Sequence, residues 1–161
     1  MHEVRLTTDG SCVGNPRPGG WACLLRCAGH ERVLSGGEKA TTNNRMELVA
    51  VIQGLRALDQ PCEVEVITDS QYVQRGMLEW LERWRASDWK TAKGEPVANR
   101  ELWEELASLA QDHKTHWRGF GVTATIRTSG GVMHWRWKQL DRLSEIDERQ
   151  AASSLYIAMG L

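Results

Sequence analysis

No apolar run in these 161 residues approaches the roughly 20 that a membrane helix needs, so a soluble chain with no membrane partner is expected. The opening stretch MHEVRLTTDG lacks the basic-then-apolar pattern of a secretion signal, which makes a cytoplasmic location the expectation. The four cysteines, Cys12, Cys23, Cys27 and Cys62, show neither C-x-x-C spacing nor histidines at zinc-like intervals. They are read as reduced thiols. An excess of charge of one sign is missing too. With a formal net charge of −1, only a local patch can mark a nucleic-acid partner. Internal repeats and low-complexity tails are absent. What is present, 41% hydrophobic and 25% charged residues, is enough for one domain over residues 1–161 with a single core.

Three strand candidates come first: EVRLTTD (3–9), GWACLLRC (20–27) and ERVLSGG (31–37). Their short links predict an antiparallel meander. The period then changes. In TTNNRMELVAVIQGLRALD, residues Leu48, Val51, Ile52, Leu55 and Leu58 fall on one face of a helix, which Pro61 is expected to end. CEVEVITDS (62–70) alternates again, so strand, helix and strand imply a parallel crossover into the meander's sheet. Residues 71–113 read as helical with a break near ASDWKTAKGEPVAN, and ELWEELASLAQ (101–111) carries Leu102, Leu106 and Leu109 on its apolar side.

Three acids stand at element ends: Asp9 in TDGS, Glu47 in TTNNRMEL and Asp69 in ITDSQ. If the first and fourth strands are neighbours, Asp9 and Asp69 lie side by side near their C-terminal ends, with Glu47 above the same edge. Three such carboxylates repel one another, and a hard divalent cation with oxygen ligands relieves the repulsion. Each acid also has a plain structural reading. Asp9 suits the first position of a turn. Asn44-x-x-Glu47 has the form of a capping box, and Asp69 could cap the helix that follows.

The blocks TDGSCVGNPRPGGWACLL, TTNNRMEL and ITDSQYVQRGM, continued by WKTAKGEPVANRELWEEL, resemble the signature segments of type 1 ribonuclease H of the bacterial cellular kind. The similarity covers residues 1 to about 117. It implies an α/β ribonuclease H-like fold: a mixed five-stranded sheet, its first three strands antiparallel and the rest parallel, flanked by helices. It implies hydrolysis of the RNA strand of an RNA–DNA hybrid, leaving 5′-phosphate and 3′-hydroxyl ends. Asp9, Glu47 and Asp69 would be catalytic and would bind two Mg²⁺ ions, with Mn²⁺ as a substitute. The glycine-rich turn after Asp9 would leave room for the hybrid's backbone.

By the same resemblance Cys12, Asn15, Asn43, Asn44 and Gln71 are substrate contacts near the scissile strand, helix capping being the alternative for Asn43 and Asn44. Thr42 and Asn99 match a phosphate pocket for the DNA strand, with Arg45 as a neighbour. Trp80, Trp84 and Trp89, with Arg83, Arg85, Lys90 and Lys93, resemble a basic protrusion that grips the DNA strand; Trp80 and Trp84, at i and i+4, suit the core equally well. Residues 83–100 hold five Lys and Arg against Asp88 and Glu95. Backbone contacts of this kind predict little sequence preference. No obligate protein partner is expected, and a monomer is the default. An integrase-type nuclease of the same fold is the third reading, disfavoured by the basic, tryptophan-rich protrusion.

After HKTHW the resemblance breaks. The family continues with a Gly-His loop and an Asp-x-Leu-Ala helix that supplies a fourth carboxylate, whereas this chain reads RGFGVTATIRTSGGVMHWRWKQLDRL. Taking the third base of each codon with the first two of the next allows Gly-His across Gly121 to Thr123, and Asp-Ala-Leu-Ala across Val132 to Arg136. Residues 118–161 are therefore read as atypical, out-of-frame and poorly ordered, with a genuinely diverged segment as the alternative. Asp141, Glu145 and Asp147 are read as surface charge, not as a replacement ligand. On this view the chain is a hybrid-binding module with impaired turnover, the alternative to a working endonuclease.

Overall fold

A computed structural model of the chain describes residues 1–14, 17–119, 125–128 and 131–134. Its main sheet has five strands: β1 (His2–Cys12), β2 (Arg17–Cys27), β3 (His30–Thr41), β4 (Cys62–Thr68) and β5 (Lys114–Gly119), in the spatial order β3-β2-β1-β4-β5. β1 to β3 form the expected antiparallel meander, while β4 pairs β1 and β5 pairs β4 in parallel. The mixed five-stranded sheet therefore stands as expected. A separate antiparallel pair, β6 (Thr125–Thr128) and β7 (Gly131–His134), follows. Asn15, the acids Asp141, Glu145 and Asp147 and the expected disorder beyond 118 fall wholly or mostly outside the described residues.

Period-2 alternation sets the sheet's two faces. Val4 and Leu6 of β1 and Val64 and Val66 of β4 join one buried cluster, while Arg5 and Glu65 between them pair at 2.8 Å on the other face. The meander strands are longer than the sequence pattern predicts, because ladder bonds extend pairing into the polar and glycine-rich ends.

Helix α1 (Asn43–Arg56) crosses between β3 and β4. The predicted stripe is buried at Leu48, Val51, Ile52 and Leu55, but Met46, Val49, Ala50 and Gly54 are buried as well. The burial spreads beyond one stripe because α1 packs on β1 and β2 and also against α4 (Arg100–Gln111). It stops at Arg56, five residues before Pro61, where the Ala57 N–H bonds back to the Gln53 carbonyl. Residues 71–86 form a continuous helical stretch: α2 (Gln71–Arg75), a π-helical turn (Gly76–Trp80) and α3 (Leu81–Ala86). On α4, Leu102 and Leu106 are buried as expected and Leu109 is half-buried, but the fully buried Trp103 is the larger anchor.

All four cysteines are free thiols. None of the described helices is long and apolar enough to cross a membrane.

Candidate active site

Parallel pairing of Thr7 with Ile67 carries Asp9, two residues on, to the level of Asp69 just beyond β4. Burial pushes the Asp9 carboxyl up to about 8, and the nearby Asp69 charge adds to it. The Gly10 N–H, donating to Asp9 Oδ1 at 2.9 Å, acts the other way, and Glu47 adds a further upward push. Burial likewise raises Glu47 to about 7, with Asp69 contributing and the Ser70 hydroxyl opposing. All three acids thus act on one another electrostatically at one edge of the sheet.

Glu47 reaches this edge because the first turn of α1 presses onto β1 at Gly10. A Cβ at Gly10 would lie 2.5 Å from both the Glu47 nitrogen and the Met46 carbonyl carbon. The room expected there for a nucleic-acid backbone is therefore occupied, at Gly10, by the protein's own helix.

The capping alternatives are resolved by neighbouring residues. Thr42, not Asn43 or Asn44, caps α1, its Oγ1 accepting from the Arg45 N–H at 3.2 Å. Ser70, not Asp69, caps α2, its Oγ accepting from the Val73 N–H at 3.1 Å. Glu47 forms no capping box; its Oε2 accepts from the Ser70 hydroxyl at 2.6 Å. Asp69 is left exposed beside the other two acids.

An all-oxygen, all-acidic donor set has the chemistry of a hard divalent-cation site, and two of its members resist ionisation where they stand. It is not a closed cage. Among the described residues, no group of three or more His, Cys, Asp and Glu stands close enough together to wrap one ion.

Several expected contacts border this edge. The Cys12 N–H donates to Asn43 Oδ1 at 2.7 Å, which leaves the Asn43 amide nitrogen as a donor. The Cys12 thiol faces the carbonyls of Gly14, Arg17 and Thr41. Asn44 and Gln71 are exposed on the first turns of α1 and α2. Arg45 bonds Glu38 at 2.9 Å and Glu101 at 2.8 Å, tying β3 and α4 to α1. Thr42 and Asn99 thereby start two helices that one guanidinium joins. Asn99 adopts a left-handed backbone, φ 57°, and its Nδ2 donates to the Tyr72 hydroxyl at 3.3 Å.

The tryptophans form a chain of rings. Trp89 lies 6.3 Å from Trp84, which lies 5.6 Å from Trp80 and 5.2 Å from the buried Trp103. Of the two rings for which a core role is considered, Trp84 packs against the core cluster and Trp80 reaches it through Trp84; Trp89 also packs on the cluster, and all three rings remain part-exposed. Arg83, Arg85, Lys90 and Lys93 are exposed along the same segment. A cavity of about 440 Å³, lined by Glu3, Arg5, Arg26, Glu63 and His116 among others, lies at the opposite ends of the strands, away from the acids. The candidate site is an open edge instead, which suits a polymer better than a small molecule.

Sequence reasoning missed Ser70, Trp103 and the tether made by Arg45. Ser70 had a signal, a serine directly before a helical run. Arg45 had none, because its partners come from residues 7 before and 56 beyond it.

The RNase H family model matches residues 1–120. A Ribonuclease H of Xanthomonas oryzae pv. oryzae is 55% identical over 118 residues, 73% of this chain and 79% of that protein. A Ribonuclease H of Alkalilimnicola ehrlichii is 50% identical over 149 residues, 91% of this chain and 97% of the relative. Among solved structures, LC9-RNase H1, described as a type 1 RNase H with the type 2 active-site motif, superposes with a TM-score of 0.70 at 29% identity, covering 96% of this chain and 86% of its own.

Proposed function

The chain belongs to the RNase H family and is an endoribonuclease, and from that premise we propose that it cleaves the RNA strand of RNA–DNA hybrids at the edge formed by Asp9, Glu47 and Asp69. The observation that carries this reading is the mutual electrostatic action of three acids from β1, α1 and the end of β4. The family uses divalent metal ions; here we assign Mg²⁺, with Mn²⁺ as a substitute, two ions per site. Bound there, the ions would lower the pKa of the attacking water and stabilise the charge on the leaving 3′-oxygen.

The protein's own residues do the rest. Asp9, on a packed strand, and Asp69, at the end of its neighbour, are held more firmly than loop residues would be. Their carboxylates, with Glu47, would hold the cations. Asn43, oriented by the Cys12 N–H, offers its amide nitrogen as a donor to acceptors in the groove, and Asn44, Gln71 and Cys12 flank it. Asn15 is assigned with them by its position in the signature block. The 2′-hydroxyl is the group that marks the RNA strand. Thr42 and Asn99 are assigned to a phosphate of the DNA strand. The exposed cations around Trp80, Trp84 and Trp89, Lys90 among them, supply sequence-independent attraction for that strand.

Hybrid cleavage in Mg²⁺ or Mn²⁺, measured beside hybrid binding, tests the proposal. Release of 5′-phosphate fragments from the RNA strand is the expected result; binding without product supports the second reading, a hybrid-binding module with impaired turnover. The observation favouring that second reading is the sequence beyond 118, which lacks the family's Gly-His loop and fourth acid. The family match ends at residue 120, as an out-of-frame segment would make it end. The 149-residue Alkalilimnicola match is what a genuine segment would give. The nucleotide sequence around codon 118 decides between them: a single-base discrepancy there supports the shifted frame, and its absence removes the idea.

A further inference from the structure

We propose that Ser70 is a positioning residue that fixes the Glu47 carboxylate toward Asp9 and Asp69, a role separate from its capping of α2. The inference rests on the active-site reading above and extends it to a residue that is not one of the three acids. Ser70 is 4% exposed, buried where β4 gives way to α2. A serine hydroxyl has one proton and two lone pairs. The Val73 N–H, at 3.1 Å, uses one lone pair, and the proton goes to Glu47 Oε2 at 2.6 Å. That length is typical of a hydroxyl bonded to a carboxylate, the stronger class of hydrogen bond.

Ser70 is itself held. Its N–H donates to Thr68 Oγ1 at 3.1 Å, and the Thr68 carbonyl accepts from Gln74 Nε2 at 2.7 Å. The hydroxyl therefore points from a rigid junction, not from a mobile loop. Glu47 has a long side chain beside Asp69, whose charge opposes its own. One strong bond to Oε2 holds it in place, and Oε1 accepts no hydrogen bond from the described residues. One oxygen is tied back while the other stays available at the edge that Asp9 and Asp69 share. Partners of this kind, which orient a cation-holding acid from behind, typically matter by about 10- to 100-fold.

The two roles separate by substitution. Ser70→Ala removes both the cap and the donor. Ser70→Gly removes the donor but leaves a tolerable N-cap, since Gly at this position loses far less than Ala. Ser70→Thr keeps both. The test measures kcat and KM for hybrid cleavage, thermal stability, and Mn²⁺ affinity by calorimetry without substrate. Both Ala and Gly should lower kcat by about 10- to 100-fold with KM within about threefold, and weaken Mn²⁺ binding by about tenfold. Gly should do so with a melting temperature near the wild type, and Thr should restore most of kcat. A Gly variant with wild-type kcat and Mn²⁺ affinity would overturn the proposal, as would activity losses that follow melting temperature alone. A wild-type protein that neither cleaves hybrid nor binds Mn²⁺ would instead overturn the active-site reading itself.

Discussion

Replacing Asp9 by Asn should make the cation-free protein more stable at pH 8, although it removes an acid from the site. Folded, the Asp9 carboxyl sits at about 8 against an ordinary 3.8, chiefly through burial and then through Asp69. The folded chain thus holds the Asp9 proton more tightly than the unfolded chain does. Stability contributed by that proton is fully present below pH 3.8 and is lost as pH rises toward about 8. The difference, at about 1.4 kcal/mol for each pKa unit, sets a ceiling of about 6 kcal/mol. Solvent reaching the part-exposed side chain, and movement of exposed Asp69 away from it, reduce this to about 2–3 kcal/mol. Asn is nearly isosteric and keeps an Oδ1 acceptor for the Gly10 N–H, so little is lost in exchange. For a domain of this size the gain corresponds to about 5–10 °C in melting temperature. Thermal unfolding in EDTA across pH 4 to 8 measures it: the gap between variant and wild type should be small at the acid end and widen toward about pH 8. Millimolar Mg²⁺ should then stabilise the wild type more than the variant. A variant no more stable than wild type at pH 8 in EDTA would refute the claim that burial makes ionising Asp9 costly in the folded chain.

Asp69→Asn should abolish hybrid cleavage while leaving hybrid affinity within about tenfold, because the phosphate and groove contacts proposed above involve other residues; gel-based cleavage and anisotropy titration read the two effects. Gly76→Ala should destabilise the fold by about 2–4 kcal/mol in urea unfolding, since a Cβ there would fall within the ring of buried Trp103. Neutralising Arg83, Arg85 and Lys90 together should weaken hybrid binding at low salt and flatten the slope of log affinity against log salt by about two to three; an unchanged slope would take the protrusion out of the interface.

Much of this protein is legible in its order of residues, for local reasons. Alternation at Val4, Leu6, Val64 and Val66 and the spacing of Leu48, Val51, Ile52 and Leu55 reflect periods that any strand or helix must obey, and the parallel crossover follows from strand, helix and strand in turn. The three acids are singled out by the signature blocks that hold them, and only Asp69 stands just past an element's end; Asp9 lies inside β1 and Glu47 is the fifth residue of α1. What local pattern could not carry was contact across the chain. Gly10 looks like a turn residue until α1 is seen to press against it. Trp103 looks like one apolar position among several until Gly76, Tyr72 and Trp84 are found packed around its ring. Ser70 is legible as a cap, but its bond to Glu47 joins residues 23 apart. Sequence therefore determined which groups this protein would offer. Tertiary structure decided which of them face one another and how hard each holds its proton, because burial and the fields of distant charges exist only once the chain is packed.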